Sequence, residues 1–245
     1  MRGEQLGDDL YKLVEELYPI CRSITGDGVR ETLRKLQEHI PLKVQEVPSG
    51  TTVFDWKVPK EWNIRDAYIK DCHGTRVVDF QKSNLHVVGY SVPVRKTLSF
   101  SELKPHLFSL PEHPDWIPYR TSYYKEDWGF CVTHNQWLNF HDEDYEVCID
   151  STLEDGSLTY GELFIKGQTT DEVLISCHIC HPSLCNDNLS GIAVVTFLAK
   201  YLAEENRRYS YRIVFLPGTI GPITWLNLNE KSVPRIKHGL VVALV

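Results

Sequence analysis

Between residues 176 and 191 the chain reads Ser-Cys-His-Ile-Cys-His-Pro-Ser-Leu-Cys-Asn-Asp-Asn-Leu-Ser-Gly, a dense run of metal-ligating side chains. His178, His181 and Asp187 supply two imidazoles and a carboxylate, donors of a catalytic zinc that keeps one coordination position open for water. Pro182 fixes a turn directly after His181. Asp187 has a second reading, because aspartate just ahead of a helix also serves as its cap. The thiols offer another chemistry. Cys177, Cys180 and Cys185 with His181 could build a closed structural zinc site. A redox Cys-x-x-Cys normally opens a helix, where the dipole lowers the thiol pKa, and Pro182 with the polar Asn-Asp-Asn stretch fits that poorly. Strand alternation also sends Cys177 and His178 to opposite sides, so these residues cannot all converge on one ion.

The elements that must position this loop read as α/β. Residues 172–176, Glu-Val-Leu-Ile-Ser, form a continuous apolar run of the kind buried on both faces of a sheet. A helix follows over 189–205, then a strand over 211–216, the turn Pro217-Gly-Thr-Ile-Gly221, a helix to about Asn229 and a strand over 239–245. This βαβαβ order implies parallel strands with helices packed on them. Ligands of such sheets bind beyond the carboxyl ends of the strands, which here are the loops 178–188 and 217–221. Upstream, Leu10, Leu13, Val14 and Leu17 predict a helix over 8–20, and Val29, Leu33, Leu36 and Ile40 a second one ended by Pro41. From Leu42 to Ile149 short β-type runs dominate, at 42–47, 67–69, 76–80, 85–90 and 146–149, with one short helix capped by Ser101. Five of the six tryptophans fall in this stretch, and the segment from Trp116 to Phe140 reads first as an aromatic core, second as a ligand-facing wall.

Composition narrows the function classes. The 245 residues carry 26 basic and 33 acidic side chains, a net charge of −7, and no run of Lys or Arg, which argues against nucleic acid or an anionic membrane as partner. No stretch of about 18 apolar residues is present to span a membrane, and the polar N-terminus lacks the pattern of a secretory signal. A cytoplasmic location is expected. Seven cysteines are then thiols, fillers or ligands rather than a disulfide framework. The chain stops inside the apolar run LVVALV, as if in a buried central strand, which reads as a fragment or a truncated gene product.

The blocks ELYPICRSITGDGVRETL, VPSGTTVFDWKVPKEWNIRDAYI, SNLHVVGYSVPV, TSYYKEDWGFCVTHNQ, YEVCIDSTLEDGSLTYGE, ICHPSLCNDNLSG and TIGPITWL resemble a bacterial family of aminopeptidase-like proteins. Its members are described as domains of unknown function and associated with polysaccharide biosynthesis. The resemblance runs from Leu10 to the last residue. It implies a zinc-exopeptidase-like core, a parallel or mixed sheet with helices on both faces, interrupted by a β-rich inserted domain. The core is expected at 1–50 and 131–245 and the insert at 51–130, with a winged-helix segment further on in full-length members. By the same resemblance Asp187-Asn-Leu-Ser-Gly191 matches the bridging carboxylate of zinc aminopeptidases, and His181, then His178, are the histidine candidates.

One departure matters. The family pattern has Pro-Glu-Thr-Ile-Gly where this chain has Pro217-Gly218-Thr219-Ile220-Gly221. Gly218 stands at the general-base position and Thr219 at a second acidic ligand, so at most one zinc is expected. The reading is a metallohydrolase relative acting on a peptide or amide bond, impaired or inactive in this chain. Two alternatives stand beside it. One is a non-catalytic binding or scaffold protein using the aromatic segment, including Tyr124 and Trp128; the other is a protein with a Cys/His structural zinc.

Overall fold

The structure is a computed structural model describing residues 3–245, with side chains described from Gln5 onward. The chain divides into two compact units, one holding the chain up to Glu61 with 155–245, the other 62–154. In chain order the elements are α1 (Gly3–Leu17), α2 (Asp27–Gln37) and β1 (Lys43–Pro48). Next come β2 (Glu61–Lys70), β3 (Arg76–Asp79), β4 (Val94–Ser99) and β5 (Asp144–Glu154). The last part runs β6 (Ser157–Ile165), β7 (Glu172–His178), α3 (Ser190–Glu204), β8 (Ser210–Leu216), α4 (Ile220–Leu228) and β9 (Ile236–Val241). Among the described residues no helix is long and apolar enough to cross a membrane.

The second unit is a four-stranded sheet in the order β3-β2-β5-β4. It is wider in sequence than the 51–130 insert expected above. Residues up to Glu61 stay with the first unit, where Arg30 Nη1 donates to Glu61 Oε2 at 3.0 Å and the Ser157 N–H to the same oxygen at 2.9 Å. At the other end β5 pairs antiparallel with β4, from Val94 opposite Ile149 to Ser99 opposite Asp144, which draws 144–154 into the second unit. The strand expected at 85–90 is a short 3₁₀ turn, Asn84–His86, followed by isolated bridges. The short helix near Ser101 is Phe100–Leu103, and its cap is Ser99: the Glu102 carboxylate accepts from the Ser99 N–H at 3.0 Å and its hydroxyl at 2.7 Å. A second four-residue helix, His134–Trp137, has Thr133 as its cap.

The first unit carries the site. Its sheet runs β1-β6-β8-β7-β9, with β1·β6 and β6·β8 antiparallel and β7 parallel to both β8 and β9. The sheet is therefore mixed, and its parallel part is the βαβαβ segment. Alternation sorts the side chains. Leu163, Ile165, Ile175, Cys177, Ile213 and Phe215 join a core with Leu13 and Leu17 of α1, Val29, Leu33 and Leu36 of α2, and Ile192, Val195 and Ala199 of α3. Leu174, Ser176, Val214 and Leu216, from the intervening positions, line a cavity with Trp225 of α4. The strand read as buried and central over 239–245 lies instead at the sheet edge as β9. One side pairs with β7, and Leu240 and Val241 are 54% and 73% exposed.

On the cavity side the amino-terminal end of the parallel pair is locked by ions. Arg212 Nε donates to Glu172 Oε2 at 2.6 Å and Arg235 Nε to Glu172 Oε1 at 2.8 Å. Arg212 also pairs with Glu162, which accepts from the Trp225 indole N–H at 3.0 Å. Glu172 is 1% exposed. Burial pushes its carboxyl pKa up, but the two guanidinium groups outweigh that and hold it below the ordinary carboxylate value. Its contribution to stability is therefore complete above the unfolded-chain value and lost as pH falls through the depressed folded one.

At the carboxyl end the lock is Asn188. Its Nδ2 lies 3.1 Å from the His178 carbonyl, 3.1 Å from the Val242 carbonyl and 3.3 Å from Cys177 Sγ, while Oδ1 accepts the Leu244 N–H at 3.3 Å. One buried amide thus ties the end of β7, the chain after β9 and the start of α3. Gly191 makes room for it, because a Cβ there would sit 2.3 Å from Asn188 Oδ1.

Two outcomes follow for urea unfolding at pH 7. Glu172→Ala leaves Arg235 without its carboxylate and Arg212 with Glu162 alone, and is expected to cost about 3 kcal/mol, a difference that shrinks as the pH falls through the depressed Glu172 value. Gly191→Ala is expected to displace the Asn188 amide and cost about 1–3 kcal/mol for the bonds lost; an unchanged midpoint would contradict the clamp.

Candidate metal centre

His178 is the last residue of β7, and alternation sends it to the cavity face while Cys177 is fully buried in the core. The Ile179 N–H donates to the Leu216 carbonyl at 3.0 Å, carrying the parallel pairing one residue past the strand. The chain then turns through His181 and Pro182 and reaches Asp187 in the irregular turn Cys185–Leu189, with a cis peptide bond between Asp187 and Asn188. α3 begins at Ser190, and no side chain caps it. The capping role open to Asp187 in the sequence is therefore not the one it takes. Its carboxylate faces the two histidines.

His178 Nε2 lies 2.6 Å from Asp187 Oδ1, and His181 Nε2 lies 3.9 Å from Asp187 Oδ2. The imidazole rings meet edge to face with centroids 5.0 Å apart. The three donor atoms lie within 4.8 Å of one another, and this is the one such group of His, Cys, Asp or Glu side chains among the described residues. Two imidazole nitrogens and a carboxylate oxygen fit a zinc held by three protein ligands with a fourth position open. Burial holds the His181 pKa below its ordinary value, against the opposing pull of Asp187. A neutral ring keeps a lone pair available to a cation.

The thiols do not join this group. Cys177 packs in the core, where burial raises its pKa; Cys185 is exposed. Cys180 is buried and accepts the Gly218 N–H at 3.1 Å, and burial pushes its thiol up to about 11. Among the described residues no thiol belongs to a group of three or more ligating side chains, so the Cys/His structural zinc open in the sequence has no counterpart in this arrangement. The loop around His181 is fixed from α1 and the segment after it. Arg22 Nε donates to the His181 carbonyl at 2.9 Å, and Ser183 Oγ to the Tyr18 carbonyl at 2.6 Å. Sequence reading passed over Arg22. Its only signal there was membership of the RSITG block, with nothing to link it to a loop 159 residues away.

The triad borders a cavity of about 550 Å³ whose remaining lining includes Leu174, Val214, Leu216, Trp225 and Leu226. Asp187 is the one carboxylate among the lining residues. Gly218 also lines it, and a Cβ there would meet only Cys180 Sγ, at 3.3 Å. A side chain at 218 can therefore enter the space beside the triad. In the second unit, most of the aromatic segment packs: Trp128 stacks on His106 at 3.6 Å, and Phe140 on Phe100 at 6.0 Å. Trp116 and Tyr124 remain 60% and 57% exposed.

Residues 11–245 match the domain of unknown function DUF4910. A Clostridium acetobutylicum protein, provisionally described as a polysaccharide biosynthesis protein with an aminopeptidase-like domain, is 57% identical over 243 residues, 99% of this chain and 56% of that protein. The chain thus spans little more than half the length of this relative. The crystal structure of a provisionally assigned peptidase from Clostridium acetobutylicum superposes over 97% of this chain and 56% of that one, with TM-score 0.95 and 57% identity. A zinc aminopeptidase from Bacillus subtilis superposes over 99% of this chain and 69% of its own, with TM-score 0.65 at 12% identity, which is a likeness of fold. The chain belongs to the DUF4910 family, and its fold is similar to that of the Bacillus subtilis zinc aminopeptidase.

Proposed function

We propose that this chain binds one zinc ion through His178, His181 and Asp187 and receives a peptide- or amide-bearing ligand in the adjoining cavity. The observation that carries the reading is the convergence of two imidazoles and a carboxylate at the edge of a largely apolar space. When bound, zinc supplies Lewis-acid polarisation of a carbonyl and a nucleophilic water at neutral pH. The protein's own contribution is to hold the donors. Asn188 donates to the His178 carbonyl, and Arg22 to the His181 carbonyl. The apolar walls exclude water from the ligand.

Amide hydrolysis also needs a group to take and return a proton, and position 218 offers none. A positioned base contributes about 10² to 10⁴ in rate, and among the described residues no second carboxylate lines the cavity. Binding with little turnover is therefore the expected behaviour of this chain, which also makes a non-catalytic role in the pathway of its polysaccharide-linked relative a coherent second reading.

Elemental analysis of the purified protein is expected to give about one zinc per chain, lost in His178→Ala and Asp187→Ala. With aminoacyl-anilide substrates, turnover is expected near background and to rise about 10²-fold or more in Gly218→Glu. A folded protein that takes up no zinc would overturn the proposal.

A further inference from the structure

Arg22 is 1% exposed, yet no carboxylate is in ion-pairing contact with it among the described residues. Its acceptors are backbone carbonyls, His181 from Nε at 2.9 Å and Leu17 from Nη1 at 2.7 Å, with the Thr32 hydroxyl at 3.5 Å; Nη2 is buried with no partner among the described residues. Burying a guanidinium is costly, and an apolar side chain of the same volume would fill the space without that cost. Packing therefore does not explain a charge here.

The acceptors suggest what does. Leu17 is the last residue of α1, and its helix-end carbonyl accepts from the Ile20 N–H at 3.2 Å and, more closely, from Nη1 at 2.7 Å. The second bond crosses to the metal loop. Pro182 follows His181 and has no N–H to donate to a turn of its own, and Ser183 sits at φ 36, a conformation non-glycine residues rarely adopt. That stretch is held instead from outside, at the His181 carbonyl by Arg22 and at Ser183 Oγ by the Tyr18 carbonyl.

We infer that Arg22 is a positioning residue for the metal centre: by binding the His181 carbonyl it fixes the backbone from which the His181 imidazole reaches the Asp187 carboxylate. The inference rests on the zinc-binding reading above. A cation arriving at a loop already held in place need not order it, and an unheld loop must lose that freedom on binding. The partners that orient a metal ligand typically contribute about 10- to 100-fold in affinity.

The test measures zinc affinity by competition with a chromophoric chelator, and the visible spectrum of the Co(II)-loaded protein, for wild type, Arg22→Met, His181→Ala and the double variant. Arg22→Met is expected to bind zinc about 10- to 100-fold more weakly and to shift the Co(II) ligand-field bands, with circular dichroism unchanged. In the His181→Ala background the same substitution is expected to change affinity little, because the two residues act through one ligand. Wild-type zinc affinity in folded Arg22→Met, or an equal loss with and without His181, overturns the inference and leaves the zinc reading standing. A wild-type protein that binds no zinc removes both. Should Arg22→Met fail to fold, Arg22→Lys, which keeps the charge but spans only one of the two carbonyls, is judged by the same criterion.

Discussion

The structure turns on one buried amide. Asn188 bonds to the His178 carbonyl at the end of β7, to the Val242 carbonyl beyond β9 and to the Leu244 N–H, and it does so at 2% exposure. Backbone groups at the ends of parallel strands have no ladder partners of their own, and leaving them buried and unpaired costs about 1–3 kcal/mol each. Satisfying several of them with one side chain fixes the chain around it. Asp187 and the first turn of α3 are covalently attached to that clamp. The orientation of the Asp187 carboxylate toward His178 and His181 is thus a consequence of how the strand ends are closed.

The same economy explains which side chains are available for chemistry. Alternation on β7 gives Cys177 to the core and His178 to the cavity, and burial raises the pKa of the Cys177 and Cys180 thiols. Nitrogen and oxygen donors are left at the cavity, and sulfur is withdrawn from it. On the far side of the loop the Gly218 N–H donates to Cys180 Sγ, a backbone bond that leaves the space beside the triad at 218 without a side chain. The arrangement suits the cation and ligand proposed above, and position 218 supplies no proton acceptor beside the triad.

Much of this was legible in the residues. The βαβαβ order, the two loops at the strand ends and the Cys177/His178 alternation follow from periodicity and turn chemistry, which are local. The short motif 187–191 pointed to Asp187 but left it open between cap and ligand, because only the fold shows that α3 starts three residues later. Boundaries set by long-range pairing were not legible. β5 belongs to the second unit because it pairs with β4 some fifty residues earlier, and the exposed pattern of β4, with Arg95, Lys96 and Thr97 outward, hides a strand. Arg22 was invisible for the same reason, since its meaning lies in contacts with Leu17 and His181 that no window of sequence contains.

In the proposed centre the cation is held by nitrogen and oxygen, with sulfur excluded. Zinc K-edge X-ray absorption of the metal-loaded protein reads the ligand atoms themselves. The expected spectrum shows a first shell of light scatterers with the multiple-scattering signature of two imidazoles, unchanged when Cys180 and Cys185 are replaced by serine. A sulfur shell near 2.3 Å, the usual Zn–S distance, would contradict it and return the cysteine cluster to the centre of the protein's chemistry.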